Sequence, residues 1–164
     1  MESLFFELTQ ILARQGEILK EQLKASQEQN EALLRLDNEK LDAAVKRLEE
    51  LSGQMTELDQ KREAVQRQLE QALNMKPGAT IMQLLPKAPF ELIFKLKDLS
   101  KTMKADLQQL SGLNEINNIL TRRVLQVNEA LLEIFKSGGD KKTYQHSGEV
   151  KHSHRSTAVL DKTV

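Results

Sequence analysis

The sequence predicts an all-α protein: an elongated, antiparallel three-helix coiled-coil bundle followed by a flexible C-terminal tail. Only 7 glycines and 3 prolines occur in 164 residues, and most of them sit in two places. The rest of the chain is rich in Leu, Gln, Glu and Lys, a composition typical of long helices. Apolar residues also recur at alternating steps of three and four, which is the spacing of one helix face.

Composition limits the classes of function. Lys plus Arg and Asp plus Glu are both 24, so the net charge is zero, which argues against a nucleic-acid binder. Cysteine is absent, which excludes disulfides, thiol catalysis and thiolate metal sites and fits a reducing compartment. No apolar run approaches the roughly 18–20 residues of a membrane span. The first residues lack the basic region of a secretion signal. We therefore expect a cytoplasmic protein without membrane insertion.

The first helix is predicted over about residues 3–35, with Ser3 as a plausible N-cap. Glutamines lie on the same track as its apolar stripe, so one seam of this helix is partly polar. The apolar stripe and the glutamines comprise Leu4, Leu8, Ile11, Ile18, Ala25, Gln15, Gln22 and Gln29.

The second helix is predicted over residues 38–74, with Asp37 or Asn38 as its cap. Its heptads are unusually regular, and a strict 3.5-residue repeat indicates helices that supercoil around a neighbour. The repeat comprises Leu41, Ala44, Leu48, Leu51, Met55, Leu58, Arg62, Val65, Leu69 and Ala72.

A loop with one short helical turn is predicted over residues 75–88, and a third helix over 89–136. Pro77 and Gly78 interrupt the second helix, and Pro89 suits the first position of the third. Gly112 is the one candidate break in this last helix, either as a bend or as no interruption at all. Together these helices form the predicted bundle of residues 1–136.

Residues 137–164 form the predicted tail, since the composition there becomes polar and irregular. Such a segment cannot bury enough apolar area to fold alone, so we expect it to be flexible. His146, His152 and His154 lie in it, and without further ordered ligands they are expected to be solvated and not to bind a metal.

No arrangement typical of catalysis is found in the sequence. The helical segments hold no histidine, no nucleophile turn and no glycine-rich phosphate loop. Pairs of acidic residues such as Glu49 and Glu50 are expected to be solvated helix charges. We predict no enzyme activity, no cofactor and no metal site.

The last helix combines asparagines with spare apolar residues. Asn114, Asn117 and Asn128 lie on a track beside an apolar one. They either set the register of helix pairing or help to form a surface that stays soluble when empty. Near the end of the helix more apolar side chains occur than one seam uses. These either pack in a wide core or a homodimer, or form a groove for a partner's amphipathic helix. The side chains in question are Leu125, Val127, Leu131, Leu132, Ile134 and Phe135.

The chain resembles the FlgN family of bacterial flagellar type III export chaperones over about residues 1–148. The second helix contains "LDAAVKRLEELSGQMTELDQKREAV". The last helix contains "NEINNILTRRVLQVNEALLEIF", which is similar to the family's paired asparagines before an apolar run. The tail segment "TYQHSG" is similar to the Tyr-x-x-x-Gly that follows the last helix in many members. The order and spacing of these segments carry the resemblance.

The resemblance implies an export chaperone that binds the C-terminal amphipathic segment of hook–filament junction proteins of the FlgK and FlgL type. It implies that the client is kept from early assembly and is delivered to the cytoplasmic domain of the export gate. Tyr144 and Gly148 match the motif implicated in gate docking. The implied client-binding residues are Asn117, Leu120, Val124, Val127, Asn128, Leu131, Ile134 and Phe135.

Two alternatives remain open from the residues. One is a structural, homo-oligomeric coiled-coil adaptor without chaperone activity. The other is a flagellar chaperone of similar helical build with a different client.

Overall fold

The computed structural model describes residues 1–138, and this part of the chain is almost entirely helical with no strand. The all-α, coiled-coil prediction is confirmed. The chain divides into two units, Met1–Val124 and Leu125–Val164. Most of the predicted flexible tail, from residue 139 on, lies outside the described residues. The helices are α1 (Glu2–Arg35), α2 (Asn38–Ala72), α3 (Ile81–Leu84) and α4 (Phe90–Gly138), with a 3-10 turn at Leu85–Lys87.

The turn between α1 and α2 follows from local chemistry. Leu36 ends α1 in a left-handed conformation with φ of 54°. Asp37 then caps α2, since its carboxylate accepts a hydrogen bond of 3.1 Å from the backbone N–H of Lys40. This bond stabilises the ionised carboxylate and lowers the pKa of Asp37 below its ordinary value.

Helices α1 and α2 pack antiparallel along the predicted heptad seam. Arg47 pairs with Glu21, and the Gln15 amide donates to Asp59 over 3.3 Å, so later residues of α2 meet earlier residues of α1. Leu51 is 1 % exposed and packs in a cluster with α1. The seam from Leu41 to Leu69 is buried or half-buried throughout.

The carboxylate of Glu70 stabilises the crossover after α2. Glu70 is only 4 % exposed. It accepts hydrogen bonds from the Gln66 amide at 2.9 Å and from the backbone N–H groups of Gly78 and Ala79 at 3.0 and 2.8 Å. The Gln66 amide and these N–H groups favour the ionised carboxylate, so the pKa of Glu70 is lowered. Gly78 has φ of 84°, a conformation that favours glycine.

The main apolar core lies where α1 begins, α2 ends and α4 begins. The crossover contributes side chains to it, so this cluster joins all the helices of the first unit. Its buried members are Phe5, Leu8, Ile11, Leu12, Val65, Leu69, Ala79, Leu84, Leu85 and Leu96.

Helix α4 runs parallel to α1 within the first unit. Ser26 contacts Asn114 and Asn30 contacts Asn117, at sequence offsets of 88 and 87 residues. Later residues of α1 therefore contact later residues of α4, which shows that the two helices run in the same direction. The order of the long helices is thus up, down and up. Helix α4 is continuous through Gly112.

Candidate functional site

A cluster of amide and hydroxyl groups joins α1 to α4. Asn117 is 3 % exposed, and its Nδ2 donates to the Ser26 carbonyl at 2.9 Å, to Ser26 Oγ at 3.2 Å and to Gln29 Oε1 at 3.0 Å. Its Oδ1 accepts from the Asn30 amide at 2.8 Å. Ser26 Oγ in turn donates to Asn114 Oδ1 at 2.9 Å. We call these five residues the amide cluster.

The amide cluster favours the register-setting account of Asn114 and Asn117. Hydrogen bonds are directional, and a shift of α4 along α1 would leave buried polar atoms without partners. The α1 partners Ser26 and Asn30 were not singled out from the sequence, although Gln29 had been placed on a polar seam. Their signal is present only once the offset between α1 and α4 is known.

Two further predicted client-binding residues lie in the first unit, after the amide cluster. Leu120 and Val124 are half-buried. Between them, the Thr121 hydroxyl donates to the Asn117 carbonyl at 2.8 Å, an interaction within the helix. These two apolar side chains are therefore only partly accessible.

The second unit presents a different surface. Every described side chain from Leu125 to Lys136 is exposed. This stretch contains the remaining predicted client-binding residues, including Asn128. The large apolar side chains are exposed as follows: Leu125 56 %, Val127 58 %, Leu131 47 %, Leu132 57 %, Ile134 63 % and Phe135 77 %.

Helical geometry sorts these residues into two apolar rows and one narrow polar stripe. Steps of three and four place Leu125, Leu132 and Phe135 on one row, with Asn128 between them. Val127, Leu131 and Ile134 form the neighbouring row. The polar stripe consists of Gln126, Glu129, Glu133 and Lys136. We call the two rows the distal apolar surface.

A helix that is apolar over most of its circumference is normally buried. An exposed, contiguous apolar surface on a helix is typical of a protein-interaction site. The distal apolar surface is therefore the candidate functional site, and the chemistry it offers is binding.

Other kinds of site receive no support from residues 1–138. No group of three or more potential metal-ligating side chains occurs there. No helix in that range is long and apolar enough to cross a membrane. Tyr144, Gly148 and the three histidines lie outside the described residues.

The model of the FlgN protein family matches residues 1–152. The chain belongs to the FlgN family. The resemblance noted in the sequence is thereby confirmed, and FlgN proteins are flagellar export chaperones, not enzymes. No curated protein and no solved structure matches the sequence.

Proposed function

We propose that this FlgN protein is a cytoplasmic chaperone for hook–filament junction proteins of the FlgK and FlgL type. It binds the C-terminal amphipathic segment of the client, prevents early assembly and delivers the client to the export gate. The observation that carries the proposal is the distal apolar surface, since a run of large apolar side chains is exposed between Leu125 and Phe135.

The chemistry of the distal apolar surface suits a helical client. Two rows of side chains at steps of three and four match the anchors that an amphipathic helix presents along one face. Asn128 adds a hydrogen-bonding group within one row. Polar groups in an interface moderate its affinity, which suits a client that must be released for export.

The proposal places direct client contact on Val127, Asn128, Leu131, Ile134 and Phe135. Leu120 and Val124 lie earlier on the same helix and are half-buried in the first unit. We assign Asn117 no direct contact, because its amide is buried against α1 and a client would reach it only after α1 moved away.

The test is a titration of the chain with a peptide from the C-terminus of a hook–filament junction protein. Calorimetry should give one peptide per chain. The double variant Leu131→Asp, Phe135→Asp should bind the peptide at least about a hundredfold more weakly, because two exposed apolar anchors become charged. Leu34→Asp is the matched control: it is 65 % exposed on α1 and should leave the affinity unchanged.

Circular dichroism should show the same helix content for both variants, since all three positions are exposed. If the double variant keeps its affinity, the client does not bind to the distal apolar surface. The adaptor alternative is correct if light scattering instead shows that the natural chain forms a stable homo-oligomer, that the double variant is monomeric, and that the peptide does not change the oligomer.

Gate docking forms a separate part of the proposal and rests on the family motif "TYQHSG". Tyr144→Ala should keep its affinity for the client peptide and lose binding to the cytoplasmic domain of the export gate. His152→Ala, beyond the motif, is the control and should bind both. Equal gate binding by all three chains would contradict the assignment of Tyr144 and Gly148.

A further inference from the structure

A second exposed apolar surface lies in the first unit, where α1 and α4 begin side by side. The N-terminal ends of the two helices form an open groove of about 730 Å³. Phe6 of α1 and Phe90 of α4 face it and are 55 % and 78 % exposed. We call it the aromatic groove, and its lining residues are Glu2, Ser3, Phe6, Glu7, Gln10, Pro89, Phe90, Glu91 and Leu92.

The exposed phenylalanines are not needed for the core. Phe5, the neighbour of Phe6, is fully buried and already supplies the aromatic side chain of the main apolar cluster. Phe94 lies one helical turn after Phe90 and is 75 % exposed, so the aromatic surface continues along α4. Aromatic side chains concentrated in this way are typical of binding surfaces.

The charges of the aromatic groove all have one sign. Glu2, Glu7 and Glu91 line it, and no lysine or arginine is among the lining residues. Within residues 1–138, none of these three carboxylates forms an ion pair. Glu2 and Glu91 lie in the first turns of their helices, where acidic side chains favour the helix dipole. That account does not cover Glu7 or the exposed aromatic rings.

We propose that the aromatic groove docks a basic amphipathic helix of a protein partner. Walls formed by two parallel helices suit an occupant with apolar anchors along one face. Lysine or arginine flanking those anchors would pair with the three carboxylates and contact the phenylalanine faces. Nucleic acid and anionic membranes are repelled by the same carboxylates, so the charge of the groove selects a cationic protein segment.

This docking surface is distinct from the client site. It lies in the first unit and carries net negative charge among aromatic rings, whereas the distal apolar surface lies in the second unit and is mainly aliphatic. The inference does not rest on the proposed chaperone function.

The test uses a fluorescent peptide of about five helical turns, with leucine on one face and lysine on the other. The full chain carries Leu131→Asp and Phe135→Asp, so that the distal apolar surface does not contribute. The peptide should bind, and its affinity should fall at least about tenfold in ~0.5 M salt because ion pairs are screened. Phe6→Ser with Phe90→Ser, and separately Glu2→Gln with Glu7→Gln and Glu91→Gln, should each weaken binding at least about tenfold.

Matched controls distinguish specific binding in the aromatic groove from nonspecific binding of the peptide. Leu34→Ser removes an apolar side chain of α1 whose exposure lies between those of Phe6 and Phe90, and Glu28→Gln with Glu31→Gln removes two exposed carboxylates far along the same helix. Both should leave the affinity unchanged. The proposal is overturned if a peptide with glutamate in place of lysine binds equally well, or if the control variants lose as much affinity as the groove variants.

Discussion

Helices α2 and α4 both pack on α1, and they use their apolar side chains in different ways. None of the large apolar side chains of α2 is exposed. Most of the exposed large apolar side chains in residues 1–136 belong to α4. In α2 the apolar residues of the regular heptads are thus covered within the fold, whereas in α4 many large apolar side chains are exposed.

The two helices also contact α1 through different kinds of interaction, apolar packing for α2 and hydrogen bonds for much of α4. Leu51 of α2 packs against Ile18 and Ala25, and apolar burial of this kind is strong but tolerant of small shifts. After its apolar beginning, α4 meets α1 through the amide cluster, which is weaker but directional. Within residues 1–138, Asp106 of α4 also has a buried Oδ2 without a hydrogen-bond partner.

The largest expected effect comes from breaking the apolar contact of α2. Leu51→Ala should lower the free energy of unfolding by about 2–5 kcal/mol, because the side chain is 1 % exposed and its removal leaves a cavity. Leu107→Ala on α4, where the side chain is 54 % exposed, should cost less than about 1 kcal/mol. Urea unfolding followed by circular dichroism measures both, and equal losses would contradict the difference between the helices.

The amide cluster should give the next largest effect. Asn117→Ala removes the acceptor of the Asn30 amide and the donor to the Gln29 amide oxygen. It should lower the free energy of unfolding by about 1–3 kcal/mol. Asn118→Ala is the matched control, since Asn118 is exposed and its replacement should change the free energy by less than about 0.5 kcal/mol. If the two variants lose the same stability in urea, Asn117 does not fix α4 on α1.

The same comparison explains what the sequence could predict. The heptads of α2 and the Asp37 cap depend on neighbours within one helix or turn, so their roles follow from spacing alone. The partners of Asn117 depend on the offset between α1 and α4, which the crossover sets. The sequence showed that α4 carried amides beside apolar residues, but not which of these faced α1.

Glu70 illustrates a residue that sequence reasoning missed. A glutamate on an amphipathic helix is normally a solvated charge. Its role depends on the contact that the backbone N–H groups of Gly78 and Ala79 make with the end of α2. No local sequence pattern indicates this tertiary contact. For the candidate site, apolar residues in excess of one seam are visible from spacing, and the stretch from Leu125 to Phe135 is exposed in the structure.

The pH dependence of thermal stability tests the role of Glu70 at the α2 end of the crossover. The pKa of Glu70 is lowered in the folded chain from an ordinary value of 4.5, so its carboxylate stabilises the fold above that pH. This contribution should be lost as the pH falls through the lower, folded pKa. Thermal unfolding between about pH 6 and pH 3 should therefore show a smaller loss of Tm for Glu70→Gln than for the natural chain. Glu63→Gln, an exposed change on the same helix, should follow the natural chain, and an identical pH dependence in all three would contradict the role of Glu70.

The smallest expected effect compares one glycine in each helix. A Cβ built on Gly53 of α2 or Gly112 of α4 meets no atom within 4 Å, and neither residue has a positive φ. Gly53→Ala and Gly112→Ala should therefore each raise the free energy of unfolding by about 0.5–1 kcal/mol, because alanine loses less backbone entropy in a helix. Both values come from the same urea experiment. A gain at Gly53 with a loss at Gly112 would mean that α4 bends at Gly112 in solution, since only a non-helical conformation there would make the added methyl group unfavourable.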